Sequence, residues 1–281
     1  MKLIKASYQI LEPQETIFKD IELAARTCYK SEDKITNDSA NRMVEMLIKN
    51  KHTAMLEHGT VYLKWKNDGS VAFSTTKCCQ FSANKYSVVT SANGYDYITT
   101  NYRVLIEKDW LHYLHYQCEP TEYHEKRISV KFICDRGVSH EFVRHRVFSF
   151  AQESTRYCNY SKDKFGNELT FIIPSWFAGE KQIDMSLEKR DLMGKNHQEL
   201  LWKRSMCDAE NMYLSLLEGN WTPQQARSVL PNSLKTELVM TGFIKDWKGF
   251  FSLRTPITAH PQARELAQPL FEEFLSTGLI K

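Results

Sequence analysis

The stretch from Glu141 to Ser161, EFVRHRVFSFAQESTRYCNYS, constrains the fold more than any other part of the chain. One short segment must be strongly cationic and anchored in an interior at the same time. Arg144, His145, Arg146 and Arg156 fall within thirteen positions, interleaved with Ser149, Ser154, Thr155, Tyr157 and Ser161; Glu141 and Glu153 are the only carboxylates. Guanidinium forks match phosphate or carboxylate bidentately, and hydroxyls complete the remaining lone pairs. Phe148, Phe150 and Tyr157 would tie the segment to packed side chains. The pattern points to a phosphorylated ligand held at the edge of a core, with two carboxylates reading polar edges. The plain alternative is a solvated basic helix end.

The flanking sequence shows how such a segment could be delivered. Ile128, Val130, Phe132 and Cys134 alternate as a strand. Asp135-Arg136-Gly137 then turns into a helix carrying Glu141 to Arg146, and a helix N-terminus itself attracts anions. Upstream, residues 2–10 read as a first strand and Glu15 to Tyr29 as a helix burying Ile17, Ile21, Leu23, Ala24 and Ala25. Asp38 or Asn37 could cap a second helix, whose stripe is Met43, Val44, Met46, Leu47 and Ile48 and which stops near Lys49–His52. Val61, Leu63 and Trp65 alternate as a half-buried strand, and Asn93-Gly94 signals a β-hairpin. A helix is expected over Val104–Tyr116. Downstream come a short strand from Leu169 to Ile173 and a long helix from Asp191 to Leu217. A helix with Pro223 in its first turn runs to about Val229. A strand over Leu234–Thr241, a helix over 243–253 and an amphipathic helix over Pro261–Phe274 complete the reading. The fold class is α/β (α+β): a mixed sheet flanked by helices, a single domain over 1–281 with an insertion at 67–126.

Length and composition exclude several function classes. A chain of 281 residues is ample for one sizeable core. A net charge of +3 is too small for bulk nucleic-acid binding, so no nucleic acid is expected as a partner. There is no apolar run long enough to span a membrane, and the first residues lack signal-peptide architecture. The seven cysteines contain no C-x-x-C pair. They are read as reduced cytosolic thiols in a cytoplasmic protein without a zinc ribbon.

Several chemistries compete for the same residues. Ser154 could act as a nucleophile with His145 as its base, but no G-x-S-x-G elbow surrounds it. Cys158 lies near Arg156, where a thiolate would be stabilised, although a small buried residue is the simpler reading. His52, His58, His140 and His145 invite a metal, but no tight ligand pair occurs and no metal is expected. The cations with Phe148, Phe150, Tyr157 and Tyr160 could form a single-stranded RNA- or nucleotide-binding module by stacking.

Ordered segments spread along the chain then sharpen the choice. Arg144-His145-Arg146 is followed by Ser154-Thr155-Arg156-Tyr157. Ala24-Ala25-Arg26-Thr27-Cys28-Tyr29 and His52-Thr53-Ala54-Met55-Leu56-Glu57-His58 precede it. Ala226-Arg227-Ser228-Val229-Leu230-Pro231 and Ser252-Leu253-Arg254 follow it. Together they resemble the flavin-dependent thymidylate synthase family over nearly the whole chain, apart from about residues 67–126. The chain departs from the family pattern at Ala151 and Gln152, where Asn and Glu are common, and at Phe243 and Gly249, where Asn is common.

The resemblance implies reductive methylation of dUMP to dTMP. Methylenetetrahydrofolate would supply the carbon, NADPH the electrons, and bound FAD would carry the hydride. It implies no protein nucleophile. Instead Arg254, the catalytic residue by this match, would stabilise the uracil ring as N3 loses its proton; an always-charged preorganised cation beside a developing anion lowers the barrier. The alternative for Arg254 is a salt bridge to a terminal-helix carboxylate such as Glu265. The carried-over dUMP contacts are Glu141, Arg144, Gln152, Glu153, Ser154, Arg156, Arg227 and Arg254. The FAD contacts are Thr53, Arg144, His145, Arg146, Gln152 and Gly249. Glu57 and His58 are read as supporting the site. The family resemblance also implies a homotetramer with active sites shared between subunits.

Overall fold

The structure is a computed structural model that describes residues 1–67, 74–177 and 197–280. The single strand expected over 2–10 is two, β1 (Lys2–Ile4) and β2 (Ser7–Leu11), which join different sheets. α1 (Ile17–Tyr29) starts at Thr16, whose side chain accepts from Lys19 N, and ends at Lys30 in the left-handed conformation (φ 48°). α2 (Ser39–Lys49) has Asp38 at its N-cap position without a side-chain bond. Ser39 Oγ accepts from Thr36 N in the preceding turn (2.8 Å) and donates to buried Glu22 (2.9 Å), so it ties α2 to α1. A 3-10 turn over Thr53–His58 leads into β3 (Thr60–Lys66), whose Val61, Leu63 and Trp65 are buried as their alternation requires.

α3 (Ser74–Ser82) precedes the hairpin of β4 (Val88–Ala92) and β5 (Tyr95–Asn101). Asn93 (φ 51°) and Gly94 (φ 75°) supply the two positive φ angles that a two-residue turn of this hand demands. The helix expected over Val104–Tyr116 breaks in two: α4 (Tyr102–Glu107) and a 3-10 turn over Leu111–Tyr116. Asp109 takes φ 57° at the break, and Trp110 N closes back on Leu105 O (2.7 Å). The break turns Trp110 and Tyr113 onto buried Phe81, with ring centroids 4.8 and 5.3 Å away. Packing outweighs local helical preference here.

Then follow β6 (Arg127–Asp135), α5 (Arg136–Phe142), β7 (Ser149–Gln152) and β8 (Thr170–Ile172). α6 (His197–Glu218) is the long helix; its expected start at Asp191 lies outside the described residues. α7 (Pro223–Ala226) carries Pro at its first position and a Thr222–Gln225 capping box. β9 (Lys235–Phe243), α8 (Ile244–Arg254) and α9 (Pro261–Ser276) finish the chain.

The expected mixed α/β architecture is present, with strands in three sheets. β2-β6-β9-β7 is antiparallel throughout, β3-β5-β4 is a second antiparallel sheet, and β1 pairs parallel with β8. On one face of the four-stranded sheet, Val130, Phe132 and Met240 pack with Trp247 and Phe250 of α8 and Phe274 of α9. A second cluster joins α1 and α2 to the three-stranded sheet through Ile21, Leu47, Leu56, Leu63, Phe81 and Ile98. Full burial of each such side chain contributes about 1.5–3 kcal/mol. The segment from 67 to 126 supplies two strands of the second sheet and part of its core; residues 68–73 lie outside the described residues.

Gly242 of β9 lies hard against Phe148, the residue before β7. A Cβ there would lie 2.5 Å from two ring carbons of Phe148, a buried ring packed edge-on against Trp247 at 4.7 Å. Gly242→Ala is expected to destabilise by about 1–3 kcal/mol through overpacking. Gly249→Ala, where a Cβ would meet nothing within 4 Å, is expected to leave stability equal or raised. Thermal denaturation of both variants checks the contrast.

Candidate functional site

Strand β6 ends at Asp135, whose carboxylate accepts from Val138 N (2.6 Å) and so starts α5 at that point. The helix closes at Phe142. Arg144, His145 and Arg146 therefore follow it in a turn rather than riding on it, with His145 N bonded to Phe142 O and Phe148 N to His145 O. From the other end of the sheet, Phe243 N bonds Asp246 and starts α8, which buries Trp247, Phe250 and Phe251 and leaves Gly249 and Leu253 outward. Arg254 is its last residue. A cation suits that end of a helix.

All three guanidinium nitrogens of Arg254 donate within the chain. Nη1 donates to a Glu141 carboxylate oxygen (2.8 Å), Nη2 to the Glu141 carbonyl (2.7 Å), and Nε to Nε2 of His145 (3.0 Å). The alternative partner Glu265 is not used; Glu141 takes its place. Arg144 reaches the other Glu141 oxygen at 3.3 Å, with its side chain 71% exposed. The Arg254 hydrogen bond holds the Glu141 carboxyl below its usual range. Burial, reinforced by the Arg254 charge, pushes His145 down to about 4, so its ring is a neutral acceptor for that arginine. His145 also rests against Phe250 at 5.1 Å. Arg146 is exposed beside them.

A second group forms where β7 ends. Glu153 is buried: Oε1 accepts from Tyr160 (2.9 Å) and Oε2 from Lys235 (2.8 Å). Both of its carboxylate oxygens thus accept from side chains of the chain itself. Lys235 also donates to Glu237 (2.6 Å), which Lys30 reaches at 2.8 Å and Lys131 closes from a third side. Burial alone would raise the Glu237 carboxyl; Lys235, Lys131 and Lys30 outweigh it and bring it down to about 2. On this base, Ser154 N bonds Cys28 O (3.0 Å) and Ser154 Oγ accepts from Arg156 N. Arg156 is exposed and contacts Gln224 beside α7 (3.2 Å); Arg227, also exposed, contacts Thr155 (3.4 Å). Ser154, Arg156 and Arg227 thus share one junction.

The structure does not gather every expected residue. Gln152 turns inward and donates to Ser139 (2.8 Å) and Thr236 (3.2 Å). Thr53 bonds Glu107 (3.0 Å), part of a set with Arg103 and Glu57. Among the described residues no hydrogen bond or ion pair joins the Arg254 group directly to the Ser154 group. Lys30, Lys131, Lys235 and Glu237 escaped sequence reasoning, and from sequence Tyr160 reads as a stacking surface rather than as a partner of Glu153. The only local sign was Lys235 and Glu237 two apart on one strand face; Lys30 is 207 positions from its partner.

The rival chemistries lose their geometry. His145 Nε2 is taken by Arg254 and is not paired with Ser154. Cys158 is 1% exposed, and burial together with Glu153 pushes its thiol up to about 12. Phe148 and Tyr160 are buried, so they offer no stacking face to a nucleic acid; of that set Tyr157 is exposed. No group of three or more His, Cys, Asp or Glu among the described residues is placed to hold a metal ion. No described helix is long and apolar enough to cross a membrane.

A family model described as thymidylate synthase complementing protein matches residues 99–277. The chain belongs to this family. Similar members include the flavin-dependent thymidylate synthases of Pyrococcus furiosus and Pyrococcus horikoshii. The first is 31% identical over 140 residues, 50% of each chain; the second is 34% identical over 148 residues, 53% of this chain and 54% of the relative. A third, from Corynebacterium aurimucosum, is 32% identical over 133 residues, 47% of this chain and 51% of the relative. The chain thus aligns with about half the length of the curated relatives it matches. A crystal structure of a UMP/dUMP methylase, PolB from Streptomyces cacaoi, bound with 5-Br dUMP, is similar over 98% of this chain and 93% of that one. Its identity is 17% and its TM-score 0.44, too loose a superposition to bear on the fold.

The lysine cage around Glu237 sets a pH dependence. The folded carboxyl is held down to about 2 from its ordinary 4.5, so its stabilisation is full above about pH 4.5 and is lost as pH falls toward 2. Glu237→Gln is expected to lower stability at pH 7 and to flatten the loss between pH 4.5 and 2. Chemical denaturation at several pH values measures both.

Proposed function

We propose that this family member methylates dUMP to dTMP reductively, with FAD as cofactor, methylenetetrahydrofolate as carbon donor and NADPH as reductant. The observation that carries the reading is the Arg254 cluster: a half-buried guanidinium held by Glu141 and by a neutral His145, beside exposed Arg144 and Arg146. That arrangement fits the need for a preorganised cation beside a base whose N3 loses its proton. Because Glu141 and His145 fix the guanidinium before any ligand arrives, little reorganisation is left for the reaction itself.

Arg156 and Arg227, with the Ser154 hydroxyl, suit the nucleotide phosphate as forked and neutral donors. Glu153 assists by holding the Ser154 turn through Tyr160 and Lys235 rather than by touching dUMP. Arg144, His145, Arg146 and Gly249 fit a flavin dinucleotide: the arginines are exposed cations for its phosphates, and the surface above Gly249 is open. FAD bound there would supply hydride. Gln152 and Thr53, both satisfied within the chain, fit less directly. A homotetramer with sites shared between subunits would unite the Arg254 group of one chain with the Ser154, Arg156 and Arg227 group of another.

Arg254→Ala is expected to cut dTMP formation by on the order of a hundredfold or more, which is about 3 kcal/mol of transition-state stabilisation, while FAD remains bound. Turnover assays with NADPH and methylenetetrahydrofolate, alongside the flavin absorbance of the purified variant, read both. Loss of the yellow cofactor with that substitution would contradict the assigned role. A colourless wild-type protein that takes up no FAD would contradict the function itself.

A further inference from the structure

A cavity of about 640 Å³ opens between the start of α1, the end of β2, the start of β6 and the turn at Gln117–Pro120; none of the residues assigned above to dUMP or FAD lines it. Its volume lies in the range of small-molecule sites. One wall is apolar, from Ile10, Leu11, Ile17, Leu23, Ile128 and Val239. Arg127 also lines the cavity. Its guanidinium donates only to neutral acceptors: Nη1 to the Glu57 carbonyl (2.9 Å) and Thr60 Oγ1 (3.2 Å), Nη2 to Ser149 Oγ (3.1 Å). Among the described residues no carboxylate lies within ion-pair distance of it. Burial pulls its pKa down to about 10, against more distant attraction from Tyr62, Glu57 and Asp246.

A guanidinium has five N–H donors, and three are used here. A desolvated cation among neutral dipoles is costly, and a ligand anion relieves that cost. Asp20 lines the same cavity and accepts from Gln14 N (3.0 Å); burial raises its carboxyl to about 6. Tyr62, also in the lining, feels the charges of both Arg127 and Asp20. Glu12, Glu15, Glu119 and Glu273 line the cavity as well, and they disfavour a ligand carrying more than one negative charge.

We propose that this cavity is a second ligand site, for a small organic monoanion with an apolar body, its carboxylate against Arg127 and a hydrogen-bond donor toward Asp20. Two remaining guanidinium donors match one planar carboxylate, and the apolar wall takes the body. The site is separate from the nucleotide reading and does not rest on it.

Calorimetric titration of the full chain with 4-hydroxybenzoate, benzoate and neutral 4-hydroxybenzamide tests the assignment. Binding is expected to follow that order, with the amide weakest. Arg127→Gln is expected to weaken 4-hydroxybenzoate by about tenfold or more, the loss of one charge-assisted pair. Leu23→Trp, which fills the cavity and leaves Arg127 in place, is expected to abolish binding even if Arg127→Gln fails to fold. Arg254→Ala and Arg227→Ala are expected to bind the probe as the parent does. No binding of either acid at millimolar concentration would overturn the proposal. So would unchanged binding in the Leu23→Trp variant, or loss of binding only in the Arg254 and Arg227 variants.

Discussion

The antiparallel pairing of β6 with β9 is the constraint on which the rest depends. Asp135 lies opposite Lys235 and Arg127 opposite Phe243, so the two strands end at opposite edges of the sheet. Each runs directly into a helix, and both helices fold back over the same apolar face. Nine strand residues span roughly 30 Å. Helices of seven and eleven residues cover roughly 10 and 17 Å. Advancing from opposite edges, they nearly close the span, and their tips meet where Glu141 and His145 receive Arg254. The cluster is a product of strand length and helix length as much as of side-chain chemistry.

The same pairing supports the second group. Lys235 and Glu237 lie at the start of β9, next to the end of β7, and tie Glu153 to the sheet. Buried ion pairs have a high desolvation cost, and their removal by halves leaves an uncompensated charge. Lys235 is the shared member of this network, bonded to both Glu153 and Glu237, while Lys30 and Lys131 add two further cations to Glu237. That makes the turn over residues 153–157 rigid where hydroxyl and guanidinium groups must be held in register.

Much of this was legible in the chain. Alternation at Val61, Leu63 and Trp65, the Asn93-Gly94 hairpin, the strand from Ile128 to Cys134 and the amphipathic last helix follow from local periodicity. The Arg144-His145-Arg146 run and Arg254 marked the cation cluster. Other features depend on contacts no window contains. Asp109 breaks a helix because Trp110 and Tyr113 turn toward Phe81. Residues 2–10 split because β1 and β2 have partners in separate sheets. Gln152 points at Ser139 and Thr236 because β7 is a sheet edge whose neighbours α5 and β9 offer hydroxyls. Lys30 meets Glu237 only through the folded topology.

The turn after β7 separates anchoring from display residue by residue. Glu153 and Thr155 point inward and are nearly sealed, while Ser154 is half-open and Arg156 faces water. The two sets carry different obligations. The outward letters can be exchanged to suit another anion while the inward ones keep the loop's shape. A lineage could thus retune what this surface grips without first having to rebuild the scaffold beneath it.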